Sequence, residues 1–228
     1  MATVAGLVPF TTIDFPGYLA AVVFFKGCPL RCPFCHNPEL QENDGKGEMS
    51  WEDVMAFLSA RKGKLDGVVL SGGEPLMQPD VVNLAKQIKE LGFKIGVHTS
   101  GVYPDKLREM VPYLDWVGLD VKAPWDKYDV LSGRPNMVVK VQESLKFLLE
   151  QGIAFEARTT CDPRYLTPQD TLMIAQDLQA LGVKTYALQK YRTFDVDKNP
   201  PAVNAINAFF TQESLTPLQA LFPKLILR

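Results

Sequence analysis

The sequence predicts an α/β fold, a partial (β/α)6 barrel of the TIM type with its functional groups at the C-terminal ends of parallel strands. Three observations carry that reading. Six short apolar runs alternate with longer amphipathic segments. The short runs are almost continuously hydrophobic, the pattern of parallel strands covered on both faces. The unusual residues of the chain cluster directly after those runs, where barrels and open α/β sheets alike place their ligands. A doubly wound sheet would satisfy the same pattern.

In chain order, strands are expected at 20–25, 67–71, 94–98, 116–121, 153–159 and 184–189, and helices near 50–61, 79–91, 104–110, 137–151 and 167–181. Ser50 supplies a helix cap, with Asp53 at the capping-box position. Gly92, Gly152 and Gly182 each follow a periodic segment, as helix-ending glycines do. No repeat, low-complexity tract or linker interrupts the series. The expectation is therefore one domain over 1–228, with a core at about 18–192 and a C-terminal extension at 193–228.

The 228 residues are 46% hydrophobic, enough for a sizeable core, and the net charge of −2 offers no surface for nucleic acid or an anionic membrane. No apolar run reaches the roughly 18 residues of a membrane span. The first residues lack the basic and long apolar segments of a secretory signal. Four cysteines, three of them crowded together, do not form a disulfide framework, so a cytoplasmic, reducing compartment is expected.

Those three, Cys28, Cys32 and Cys35, are spaced C-x3-C-x2-C on the loop after the first predicted strand. Thiolates select iron–sulfur clusters, zinc or Cu(I). Three on one loop can hold three corners of a four-iron cluster and leave the fourth iron open to a ligand. Other readings compete. Zinc would need a fourth ligand, and His36 adjoins Cys35, an awkward way to close a tetrahedron. Cys32-Pro33-Phe34-Cys35-His36 also matches a haem-attachment pattern, and Cys32 with Cys35 alone matches a redox dithiol that leaves Cys28 unexplained.

Ser71-Gly72-Gly73-Glu74-Pro75 follows the second strand. Two residues without side chains let backbone approach a ligand such as an ammonium, although an ordinary tight turn would look the same. His98-Thr99-Ser100-Gly101, Asp120-Val121-Lys122, Arg158 and 189–192 follow the next four strands. Their plain alternatives are a strand-end ion pair for Asp120 and Lys122, a cross-strand carboxylate for Arg158, and a hydrogen-bonded strand end for His98. Cys161 reads as a small buried residue, Trp51 and Phe57 as core, and 125–128 as surface loop.

With these motifs in place, the chain resembles the radical S-adenosylmethionine superfamily over about 10–192. Cys35-His36-Asn37-Pro38 is similar to the signature of its activases for glycyl-radical enzymes. Thr12-Ile13-Asp14-Phe15-Pro16-Gly17 resembles the activating proteins of anaerobic ribonucleoside-triphosphate reductase. The resemblance implies that Cys28, Cys32 and Cys35 bind one [4Fe-4S] cluster whose open iron takes the amino and carboxylate groups of S-adenosylmethionine. Reductive cleavage would release a 5′-deoxyadenosyl radical, which removes hydrogen from a backbone glycine of a glycyl-radical enzyme.

Residue by residue, the resemblance implies that Gly72, Gly73 and Glu74 line the methionine ammonium and that Lys122 meets its carboxylate. Arg158 would reach the carboxylate or ribose, and Asn37, Phe34 and His36 would face the adenine. Thr99 and Asp120 fall where formate-lyase activases ligate a monovalent cation, but His98 stands where those enzymes often have aspartate. Arg192 stands where they tend to have histidine. With Cys161 the only other cysteine, no second cubane is expected, so electrons would come from an external donor such as flavodoxin or ferredoxin. The alternatives are a small-molecule radical enzyme of the deazaguanine-synthase kind and a non-catalytic zinc or iron–sulfur carrier.

Overall fold

The computed structural model describes residues 2–193 and 199–228; Met1 and residues 194–198 of the expected extension lie outside them. One eight-stranded sheet organises the chain, with its strands in sequence order. They are β1 (Val4–Thr11), β2 (Ala20–Phe25), β3 (Gly67–Gly72), β4 (Lys94–Thr99), β5 (Trp116–Asp120), β6 (Phe155–Cys161), β7 (Tyr186–Lys190) and β8 (Ile226–Leu227). β2 to β8 are parallel to their neighbours and β1 is antiparallel to β2. β1 and β8 are the two edges of a sheet that does not close, in keeping with the predicted partial barrel.

The five expected helices are present as α1 (Trp51–Ala60), α2 (Val81–Glu90), α3 (Pro104–Met110), α5 (Met137–Gln151) and α6 (Pro168–Ala180), with a short α4 (Tyr128–Ser132) before α5. Ser50 and Asp53 do form a reciprocal capping box on α1, as Thr167 and Asp170 do on α6. Two strand boundaries differ from expectation. The run expected at 153–159 pairs as Phe155–Cys161, and that at 184–189 as Tyr186–Lys190. In both places the chain leaves a glycine in a left-handed turn and needs further residues to reach the sheet.

Five of these strands and helices escaped the sequence pattern. β1 contains Gly6 and Pro9, which read as breakers, yet a strand edge tolerates proline because no outward N–H is needed there. α4 spans five residues, too few to show a period. The chain after residue 198 adds α7 (Val203–Asn207), α8 (Gln212–Leu221) and the two-residue β8, which returns to the sheet beside β7.

Strand parity places the site. Ala20, Val22, Val69 and Trp116 share one face and pack with Phe15 into a small core. The same parity, continued towards the strand ends, gives Phe24, Ser71, His98, Asp120, Arg158 and Gln189, and all of these line one cleft. The opposite face carries the main core under the helices, including Val23, Leu70, Val97, Leu119, Ala157 and Leu188. The cleft thus has an apolar floor and polar walls.

Candidate active site

The cysteine loop is fastened at its start to the glycine turn. Gly73 N donates to Phe25 O at 2.9 Å and Glu74 N to Gly27 O at 2.8 Å, while Gly27 N and Cys28 N donate to Leu40 O and Gln41 O. Arg31 staples the loop from within, its guanidinium donating to Cys28 O at 2.7 Å and Leu30 O at 2.9 Å. All three thiols line a cleft of about 320 Å³. Cys32 is buried, and Cys28 and Cys35 are half-buried and free. Burial, reinforced by the charge of Glu74, pushes the metal-free Cys28 thiol up to about 12.

Gly72 and Gly73 line the same cleft, but Glu74 does not. Its carboxylate turns into the protein interior instead. Glu74 is fully buried and accepts from Leu76 N at 3.1 Å, Thr99 Oγ1 at 2.7 Å, Ser100 N at 2.9 Å and Ser100 Oγ at 2.5 Å. Burial pushes its carboxyl up, against the pull of these donors. The residue ties the β3 turn to the β4 turn. The Thr99 hydroxyl donates to Glu74 and accepts from Gly101 N at 3.0 Å.

Across the cleft, Asp120 sits between two cations. Arg158 reaches it through Nε at 2.9 Å and NH2 at 2.7 Å, and Lys122 Nζ lies 3.3 Å away. Burial alone would raise Asp120, but Arg158 and Lys122 together hold it well below the carboxylate range. Burial opposes the charge on Lys122 too, but the Asp120 carboxylate beside it favours the charged form and keeps the ammonium protonated. Gly118 makes room for this arrangement, since a Cβ there would stand 2.8 Å from the Arg158 guanidinium carbon. Both oxygens expected to ligate a monovalent cation, on Thr99 and Asp120, are thus engaged by protein partners.

His98 is the hydrogen-bonded strand end of the plain reading. Its Nε2 donates to Asp14 O at 2.9 Å, and its ring stands edge-on to Trp116. Burial, then the nearby Arg158 and Arg228, push it down to about 3, against the pull of Asp120. Below pH ~6.5 the unfolded chain binds a proton that the folded one refuses. The His98 contribution is therefore complete above that pH and is lost progressively towards the folded value. His98→Gln keeps an N–H for the carbonyl and removes the titration. Urea unfolding at pH 7.0 and 5.5 is expected to show the wild type losing about 1 kcal/mol more than the variant on acidification; equal losses would disprove the assignment.

The cleft gathers the remaining candidates: Phe34, His36, Asn37 and Arg192 all line it, with Arg192 exposed at its rim. Cys161 is buried on β6, away from the cleft lining, as expected of a small core residue. A larger hollow of about 720 Å³ lies outside, between α5 and α6, but none of the thiols or catalytic candidates lines it.

The sequence profile of the Radical SAM superfamily matches residues 22–178. The chain belongs to this superfamily. It is 32% identical over 207 residues to a Methanocaldococcus jannaschii protein provisionally named a glycyl-radical enzyme activating enzyme, a match covering 85% of this chain and 82% of that one. It is 36% identical over 128 residues to a pyruvate formate-lyase-activating enzyme of Clostridium pasteurianum, about half of each chain (54% and 53%). A domain of a pyruvate-formate lyase-activating enzyme from Bacteroides vulgatus superposes with a TM-score of 0.56 at 15% identity, over 71% of this chain and 98% of that one. So low an identity speaks for the fold alone.

Membership in the radical SAM superfamily implies a [4Fe-4S] cluster and S-adenosylmethionine, and the donor set fits both. Three soft thiols and one half-buried ammonium face a single cleft.

Some functional neighbours were not legible. Tyr128, expected in a surface loop, is fully buried and donates from its hydroxyl to Asp120 O at 3.2 Å. Ser100 and Asp14 line the cleft from the segments 98–101 and 12–17, in which neither residue carries an expected role, and strand parity with Arg158 would have found Thr160. Glu156, two residues before Arg158 on β6, is buried against the guanidinium of Arg228 from β8's end.

Proposed function

We propose that this chain activates a glycyl-radical enzyme, and that its partner is anaerobic ribonucleoside-triphosphate reductase. The observation carrying the activase reading is the likeness to the Methanocaldococcus jannaschii protein over 85% of the chain. The segment 12–17, which brings Asp14 to the cleft wall, supports the choice of partner. In this reading Cys28, Cys32 and Cys35 hold the cluster. When bound, the two cofactors supply reductive cleavage of the sulfonium and a 5′-deoxyadenosyl radical that takes hydrogen from the partner's glycine.

The protein supplies position and charge. Lys122 offers a protonated point charge to the methionine carboxylate. Carbonyl oxygens of the Gly72–Gly73 turn accept from the ammonium, and Asn37, Phe34 and His36 flank the adenine. Arg158, already bound to Asp120, acts by holding Asp120 and Lys122 in place. Arg192 stands at the rim where a partner's loop would enter.

The test is anaerobic: reconstitute the chain with iron and sulfide, reduce it with dithionite, and add S-adenosylmethionine with the reductase. A glycyl-radical doublet in the electron paramagnetic resonance spectrum is expected, with 5′-deoxyadenosine formed alongside it. Both should vanish in Cys32→Ala. A doublet on formate lyase but not on the reductase would replace the partner. 5′-Deoxyadenosine formed with neither enzyme radical-bearing would favour a small-molecule substrate of the deazaguanine-synthase kind and end the activase reading.

A further inference from the structure

The proposed reading requires one electron per cleavage from outside, and the cleft mouth must meanwhile serve S-adenosylmethionine and the partner's glycine. We propose that α4 and the first turn of α5 form the docking face for a small acidic one-electron carrier protein of the flavodoxin or ferredoxin type. Its electron would enter through the back of the cysteine loop.

The route is set by hydrogen bonds. Arg31 N donates to Ser132 O at 2.9 Å, and Arg134 Nε donates to Pro29 O at 2.9 Å. Gly133 lies so close that a Cβ there would come within 2.9 Å of the Arg31 backbone oxygen. The α4 segment is thus clasped onto the stretch between Cys28 and Cys32. From Ser132 the path to the Cys32 backbone is one hydrogen bond and one residue.

The surface above this clasp has the composition of a docking patch. Val130, on α4, is 81% exposed, more than any other large hydrophobic residue among those described, and Val139, on α5, is 60% exposed. The two are held together, because the Asp129 carboxylate accepts from Asn136 N at 2.6 Å, Met137 N at 2.8 Å and Val138 N at 3.0 Å. That cap also spends the local negative charge on the start of α5. Arg134, four residues after Val130, and Lys140, which follows Val139 in the chain, are both exposed, and Arg31 adds a guanidinium that Glu42 partly balances. In a chain of net charge −2, an apolar spot rimmed by cations suits an acidic carrier. The carrier is oxidised by one electron and the chain's cluster is reduced by one; no proton or group moves.

Two variants test this: Val130→Glu combined with Lys140→Glu, and Val139→Glu alone. All three positions are exposed, and Lys140→Glu places an acid in a helix's first turn, where it is favoured. Binding of oxidised flavodoxin to the cluster-loaded chain is measured by calorimetry. Cluster reduction is followed by absorbance with photoreduced flavodoxin and, separately, with dithionite. The expected result is binding weakened about tenfold or more in the double variant. Flavodoxin-driven reduction should slow by a similar factor while dithionite-driven reduction stays unchanged. Unchanged flavodoxin affinity in both variants would overturn the proposal. So would slowed dithionite reduction in both, which would mean loop damage, or weakened binding of the glycyl-radical enzyme with flavodoxin binding intact. A wild-type chain that flavodoxin reduces normally but that raises no glycyl radical would instead defeat the proposed function and leave the docking face standing.

Discussion

Gly73→Ala is expected to give a chain that loads little or no iron and is destabilised by about 3 kcal/mol or more. A Cβ at Gly73 would lie 2.3 Å from Gly27 O and 2.7 Å from Leu40 O. Both are backbone atoms at the two ends of the cysteine loop, and neither can swing aside as a side-chain tip would. The glycine turn would have to separate from the loop, breaking the donations from Gly73 N to Phe25 O and from Glu74 N to Gly27 O. Gly72 is constrained twice over: its φ of +114° belongs to glycine, and a Cβ would lie 2.3 Å from Phe25 N. Gly6→Ala is the control, since nothing lies within 4 Å of its Cβ position. Iron content after reconstitution and the urea midpoint should both fall for Gly73→Ala and hold for Gly6→Ala. Full iron loading with an unchanged midpoint in Gly73→Ala would show that the loop has slack the packing does not suggest.

What could be read from the sequence was local. The cysteine spacing, the paired glycines and the Ser50–Asp53 capping box each lie within a few residues, and the apolar runs identified six parallel strands before any pairing was known. What could not be read depends on register. Arg158 finds Asp120 because β5 and β6 pair those two residues directly, and no spacing along the chain encodes that. Glu74 is the sharper case. The pattern marked the residue correctly as special, but its side chain turns to Thr99 and Ser100, 25 and 26 residues later. Tyr128 was missed for a related reason. A five-residue helix has no period, so nothing local distinguishes a phenol buried under Asp120 from one on the surface.

Glu74→Leu is expected to cost about 3–5 kcal/mol of folding stability, and Glu74→Gln about 1–2 kcal/mol. Leucine fills much of the volume but leaves two backbone amides, of Leu76 and Ser100, and two hydroxyls without their acceptor in a dry interior. Glutamine keeps one carbonyl oxygen and places an NH2 against groups that need acceptors, so part of the network survives. The functional consequence follows from geometry. Glu74 joins the turn that carries Gly72 and Gly73 to the turn that carries Thr99 and Ser100, and all four residues line the cleft. Loosening that tie should weaken S-adenosylmethionine binding in step with stability, with leucine worse than glutamine on both counts. If the carboxylate instead met the methionine ammonium, Glu74→Gln would lower S-adenosylmethionine affinity sharply while the urea midpoint stayed near that of the wild type. Equilibrium unfolding and ligand titration on the same two variants distinguish a brace between turns from a ligand-facing charge, and the buried position of the side chain favours the brace.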